Sequence, residues 1–288
     1  VHLLQALLFV VTVWSASLVG STFYWSFQHN QPAILLSRDL AMVTANAFDL
    51  TRLLPGLWYS GPLLLILTAH EFGHYFACVF YRIRATLPYF LPAPTLIGTL
   101  GAFIRIRGAI LSRVQLFDVG VAGPIAGFVF LAPVLLVGVS LSKVIPGIAH
   151  QGDLVMGSPL LLQWVQGVLF PGVPNQDILL HPMARAALVG MLATALNLLP
   201  VGQLDGGHIV YALHPKRQLL IARAFVLLLL PLGLLWEGWW FWAVLLFVFK
   251  LRHPPVYDHT PLGKGRKWVA AAALGIFILC FTPTPVLP

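Results

Sequence analysis

The chain has 288 residues, of which 59% are hydrophobic and only 9% charged. A soluble globular protein carries about 25% charged residues, so this surface cannot be kept in water and the bilayer is its natural solvent. Seventeen Lys and Arg against nine Asp and Glu give a net charge of +8, but the basic residues are scattered between apolar runs and form no basic domain. That pattern excludes a nucleic-acid partner and makes the basic residues topology markers.

A spanning helix needs about 20 mainly apolar residues. Leu3 to Val19 is the first such run; it lacks a small-residue cleavage site and reads as a span, not a signal peptide. A polar segment at 27–55 follows, placed outside the membrane where it can cover a site. Leu57 to Phe80 is the second span. The stretch 85–112 holds Pro88, Pro92 and Pro94, then alternates apolar and basic residues up to Arg107, a strand signal. It is too apolar for an open loop and too broken for a helix, so a membrane-associated β-hairpin or re-entrant segment is expected, buried against protein. Val119 to Ser140 is the third span, with Asp118 expected to cap its start. After a short Gly/Pro-rich outer loop at 143–181, Met183 to Leu199 is the fourth. Leu219 to Phe249 is broken around Pro231, Gly233, Glu237 and Gly238 and reads as two short spans; Trp268 to Phe281 is the last.

The expected fold class is therefore all-α and polytopic, with about seven transmembrane helices and one small strand segment. With the N-terminus inside and the C-terminus outside, thirteen Lys and Arg fall on the inner side and four on the outer, as the positive-inside rule requires. Three divisions result: an N-terminal span and outer loop at 1–56, a membrane core at 57–213 and C-terminal spans at 214–288. The core comprises a helix at 57–81, the strand segment at 85–112, a Gly-Pro helix at 118–142, the outer loop at 143–181 and a helical segment at 182–213. Cys78 and Cys280 lie in apolar segments and make no disulfide framework.

Most of the nine acidic residues fall in expected loops, but Glu71 and Asp205 lie in or beside apolar segments. An ionisable group at membrane depth is costly and marks a functional site. Glu71 belongs to His70-Glu71-Phe72-Gly73-His74. Residues four apart share a helix face, so both imidazoles can bind one metal while Glu71 reaches a bound water as general base. Two buried histidines that only hydrogen-bond would leave three polar residues in an apolar helix without a reason. Asp205, in Leu204-Asp205-Gly206-Gly207-His208, is the candidate third ligand; its other reading is a turn aspartate bonded to its own backbone. Two His, one carboxylate and a water make a catalytic zinc site, one Zn2+ per chain.

His70-Glu71-Phe72-Gly73-His74, Asn197-Leu198-Leu199-Pro200 and Leu204-Asp205-Gly206, in that order, resemble the motifs of the site-2 protease family of intramembrane zinc metalloproteases. Gly120-Val121-Ala122-Gly123-Pro124-Ile125-Ala126-Gly127 resembles its central Gly-Pro helix, and Gly98-Thr99-Leu100-Gly101-Ala102 its strand segment. The resemblance covers about half the chain. It implies zinc ligands His70, His74 and Asp205, general base Glu71 and a three-helix catalytic core. It also implies that Asn197 holds the substrate backbone and that the hairpin, with Gly101 and Phe103, binds the unwound substrate as an added strand. The segment at 143–181 is too short for the PDZ domain many members carry, and after the last span there is no room for the nucleotide-binding domain of others, which makes this a compact form. The expected partner is a single-pass membrane protein, already trimmed by another protease, in a bacterial cytoplasmic or organellar membrane.

Other readings weigh against the finer assignments. The basic strand segment can be an inner-face loop pinned at the headgroups, Asn197 an interhelical hydrogen bond, Gly123 and Gly127 a close helix approach rather than a substrate contact, and His208 a structural group beside Asp205. Against the protease as a whole stand a prenyl-protein endopeptidase, which needs a downstream Glu ligand where only Glu237 is available, and a metal transporter or scaffold, which would need a polar path where one cluster is found.

Overall fold

The computed structural model describes residues 2–248, 251, 253–258 and 260–287. Three helical segments are long and apolar enough to cross a membrane. The first is α1 (His2–Gln28). The second runs through the short α3 (Leu50–Leu53), a 3₁₀ turn and α4 (Leu57–Phe80). The third is α5 (Arg113–Ser140). The segment expected as a polar loop after α1 instead folds as α2 (Leu36–Asn46) before α3.

Local chemistry sets the ends of the two central helices. α4 stops at Phe80 because Arg82 takes a left-handed φ of 56° and the Ile83 N–H turns back to the Cys78 carbonyl at 2.8 Å, a Schellman closure. α5 starts with a capping box: the Gln115 N–H donates to Ser112 Oγ at 3.1 Å, and the Gln115 side chain accepts from the Ser112 N–H at 3.3 Å. Asp118 therefore does not cap this helix. It lies inside α5, where Arg266 donates to it through Nε at 2.8 Å and Nη2 at 2.7 Å and the Tyr81 hydroxyl donates to it as well.

Between α4 and α5, β1 (Tyr89–Pro92) and β2 (Thr99–Phe103) pair antiparallel, Tyr89 opposite Phe103 and Phe90 opposite Ala102, with an irregularity before Pro92. Gly98 at the turn has φ +77°, a conformation glycine adopts without Cβ strain. The ribbon rests on α1 and α4 through buried polar ties: Ser15 Oγ donates to the Gly98 carbonyl at 2.7 Å and the Tyr59 hydroxyl to the Ile97 carbonyl at 3.0 Å.

Beyond α5, β3 (Lys143–Val144), β4 (Val155–Met156), α6 (Leu160–Leu169) and β5 (Ile178–Leu179) lead to α7 (Pro182–Asn197). β3 pairs with β5, and β4 with β6 (Val286–Leu287) near the chain end. The remaining helices are α8 (Asp205–Leu213), α9 (Gln218–Leu232), α10 (Gly238–Val248) and α11 (Lys264–Cys280). α7, α9, α10 and α11 lie where four further spans are expected, but at 16, 15, 11 and 17 residues each is shorter than a straight crossing. Pro200 follows the end of α7, and Pro231 and Gly233 close α9. Phe249, Lys250 and Arg252, which entered the topology expectation, lie outside the described residues.

α4, α5 and α7 pack around one core of Ile66, Leu131, Leu135, Leu188 and Met191, all buried. The outer faces of other helices carry exposed Leu3, Leu227, Phe241 and Val248, as lipid-facing surfaces do and water-facing ones rarely do.

Candidate metal centre

α4 presents His70, Glu71 and His74 one turn apart, all three buried. Across the bundle the chain leaves α7 at Asn197, turns through Pro200 and re-enters a helix at Asp205, the first residue of α8. That turn is tight: a Cβ on Gly206 would lie 2.0 Å from the Leu198 carbonyl oxygen. The turn sets the Asp205 carboxylate over the α4 histidines.

Asp205 Oδ2 is 3.2 Å from His70 Nε2 and 3.3 Å from His74 Nε2, and the two Nε2 atoms are 3.2 Å apart. Tetrahedral zinc with bonds of about 2.0–2.1 Å separates its ligand atoms by about 3.3 Å, so this near-equilateral triangle is one face of such a tetrahedron. The donor chemistry agrees. His74 Nδ1–H donates to the Val119 carbonyl at 2.7 Å, which leaves Nε2 of the neutral ring as a lone pair. That nitrogen faces a carboxylate oxygen, an arrangement that a shared metal ion satisfies. The three residues fit a metal ion and form the candidate ligand group among the described residues.

Small residues make the space. The series Gly120, Gly123, Gly127 lies along one face of α5, and a Cβ at Gly123 would stand 2.1 Å from His74 Nε2. Gly123 thus abuts a ligand ring. Gly127 backs His70, and Gly120 backs the His208 side chain.

Glu71 lies on α4 beside His70 and next to the triangle, without joining it. Asn197 Nδ2 is 3.2 Å from His70 Nε2, so the amide borders the same space. Gly101 has φ +98° with open space where a Cβ would be, while half-exposed Phe103 stacks on Tyr89 at 5.4 Å. His208 is not a ligand: its Nδ1 is 2.7 Å from Nε2 of His253, whose own Nδ1–H donates to the Pro254 carbonyl. Cys78 packs against Ile83 and Val119, away from the triangle.

Two supports are not legible from motifs: the Val119 carbonyl and His253. The first is a backbone group and carries no residue signature; His253 arrives from a segment far along the chain. The glycine spacing was a readable signal for the close approach of α5 to α4.

The model of peptidase family M50 matches residues 59–232, which hold the whole metal group. The chain is 31% identical over 237 residues to the probable zinc metalloprotease EGY1, chloroplastic, of Arabidopsis thaliana, covering 77% of this chain and 42% of that protein. It is 28% identical to the protein of the same name in Oryza sativa subsp. japonica, over 99% of this chain and 50% of the relative. With the probable zinc metalloprotease EGY2, chloroplastic, of Arabidopsis thaliana it shares 30% identity over 91% of this chain and 46% of the relative. The chain thus spans about half the length of the curated relatives it matches. No solved structure matches it. With the match extending through α4, α5, α7 and α8, the chain belongs to peptidase family M50, the site-2 protease family.

Proposed function

We propose that this chain is the catalytic core of an intramembrane zinc endopeptidase that hydrolyses a peptide bond in or near the transmembrane segment of another membrane protein. The convergence of His70, His74 and Asp205 on one metal-sized space, with Glu71 beside it, carries the reading. Zinc bound there supplies a Lewis acid that activates water and polarises the scissile carbonyl. Glu71 takes the proton of the attacking water and passes it to the departing amine. Asn197 donates its amide N–H to the carbonyl oxygen where negative charge develops. β2 pairs only with β1 among the described residues, and it packs against α4, the helix that carries Glu71. A locally unwound substrate adding as a strand along that edge, past Gly101 and Phe103, would pass the general base.

The substrate class is a single-pass membrane protein, already trimmed by another protease. The protease reading extends to seven crossings with the N-terminus inside, in a bacterial cytoplasmic membrane or an organellar one such as the chloroplast in the relatives' names. A metal transporter or scaffold is the competing reading, and Glu71→Gln separates the two. The variant keeps one zinc per chain, loses cleavage by at least about 100-fold and traps membrane-protein substrates in native membranes. Normal zinc content with no trapped membrane protein refutes the protease, and undiminished cleavage refutes Glu71 as its general base.

A further inference from the structure

Away from the metal centre, the first residue of α5 and the turn from α8 into α9 line an open cavity of about 610 Å³. It is lined by Arg113, Leu213, His214, Pro215, Lys216 and Arg217. Three of those six carry a permanent positive charge, His214 is a fourth potential cation, and no carboxylate lines the wall. The Arg113 guanidinium is committed: Nε donates to the Ala212 carbonyl at 2.8 Å and Nη2 to the Leu213 carbonyl at 3.3 Å, which neutralises the exposed carbonyl end of α8. The Lys216 and Arg217 residues are exposed, and their side chains have no hydrogen-bond or ion-pair partner among the described residues. Cationic side chains gather here and no carboxylate lines the space, so it presents positive charge to an anion.

Position in the membrane names the anion. Arg113 opens a 28-residue apolar helix, and α9 runs off from Gln218 as an apolar helix, so the cavity lies where both leave the hydrocarbon, at headgroup depth. A side chain there meets lipid phosphate at high local concentration, and a cationic pocket between membrane helices is the form an anionic headgroup site takes.

We propose that this cavity binds the phosphate of an anionic phospholipid, with Lys216 and Arg217 as its charge partners and Arg113 as its fixed wall. The site does not depend on the catalytic reading. It is one α8 length, about 12 Å, from Asp205, and it pins the far end of the helix that carries that residue.

The test uses the full chain in a neutral detergent, with its melting temperature followed as phosphatidylglycerol, phosphatidylcholine or inorganic phosphate is added. Phosphatidylglycerol is expected to raise Tm by several degrees, and phosphatidylcholine and inorganic phosphate at equal concentration by none. K216Q/R217Q is expected to lose the rise, while the inner-face control R82Q/R84Q keeps it. If the double variant does not fold, K216E and R217E singly replace it, each expected to lose most of the rise, with K216R retaining it. An undiminished rise in the charge-removing variants, an equal rise with phosphatidylcholine, or an equal rise with inorganic phosphate alone overturns the lipid site.

Discussion

Gly123→Ala adds one methyl group to a helix position with no unusual backbone angle, so helix propensity alone would make it harmless. The surroundings say otherwise. The new Cβ would lie 2.1, 2.4 and 2.5 Å from Nε2, Cε1 and Cδ2 of His74. Opening the shortest of these to the 3.4 Å of an ordinary contact takes about 1.3 Å of movement. The ring cannot yield freely, because Nδ1 is tied to the Val119 carbonyl at 2.7 Å on the same helix that carries the new methyl. Metal–ligand distances tolerate about 0.2 Å, so the shift removes His74 from the coordination sphere. Loss of an orienting contact alone costs about 10–100-fold in metal affinity, and loss of a ligand costs at least the upper end of that range. Gly127→Ala is the matched control, since its Cβ would approach His70 no closer than 3.2 Å and asks for a few tenths of an ångström. Zinc per chain after purification and chelator competition on the folded protein measure the difference, with Tm as the check on folding. If Gly123→Ala binds zinc as tightly as Gly127→Ala, the geometric account of this face of α5 is wrong.

Asn197→Ala should keep zinc, because the amide is not one of the three converging ligands, yet slow turnover by about 100-fold, as loss of an oxyanion donor does; loss of zinc instead would make Asn197 a support of His70. Arg113→Ala removes the guanidinium donors from the end of α8 and should cost about 1.5–3 kcal/mol of local stability. It should weaken zinc binding through Asp205, with Arg113→Lys intermediate; unchanged chelator competition would show that α8 holds Asp205 without this clamp. His181 caps α7 by accepting the Met183 N–H on Nδ1 at 3.2 Å. Burial beside Phe27 and Trp58, with Lys143 nearby, pushes its pKa down to about 4. The unfolded chain therefore binds the proton first, and the stability this group contributes is complete above about pH 6.5 and lost as pH falls toward 4. His181→Asn should flatten Tm across that window, and an unchanged slope would locate the acid sensitivity elsewhere.

Membrane character, the His70–His74 helix and the three candidate ligands that converge were legible in the chain because each rests on local rules. Long apolar runs need lipid, i and i+4 imidazoles share a face, and a Pro-Gly turn can aim a carboxylate. The Asp118 expectation failed for the same reason it was attractive. A carboxylate near a helix start suits the dipole, but Ser112 with Gln115 closes the helix a turn and a half earlier, and Arg266, 148 residues away, claims Asp118. Span lengths were legible only in part, since hydropathy sees composition and not where the helices end, α7 at Asn197 before Pro200 and α9 at Leu232 just after Pro231.

By itself the sequence singled out His70, His74 and Asp205 as candidate metal ligands in an apolar chain, because residue type and helical period are written along it. Only the tertiary structure decided that the Asp205 carboxylate lies 3.2–3.3 Å from both imidazoles and that Gly123 is the space His74 occupies. Those facts depend on how closely α4, α5 and α8 pack, and packing distance is a property of facing surfaces that no single stretch of chain contains.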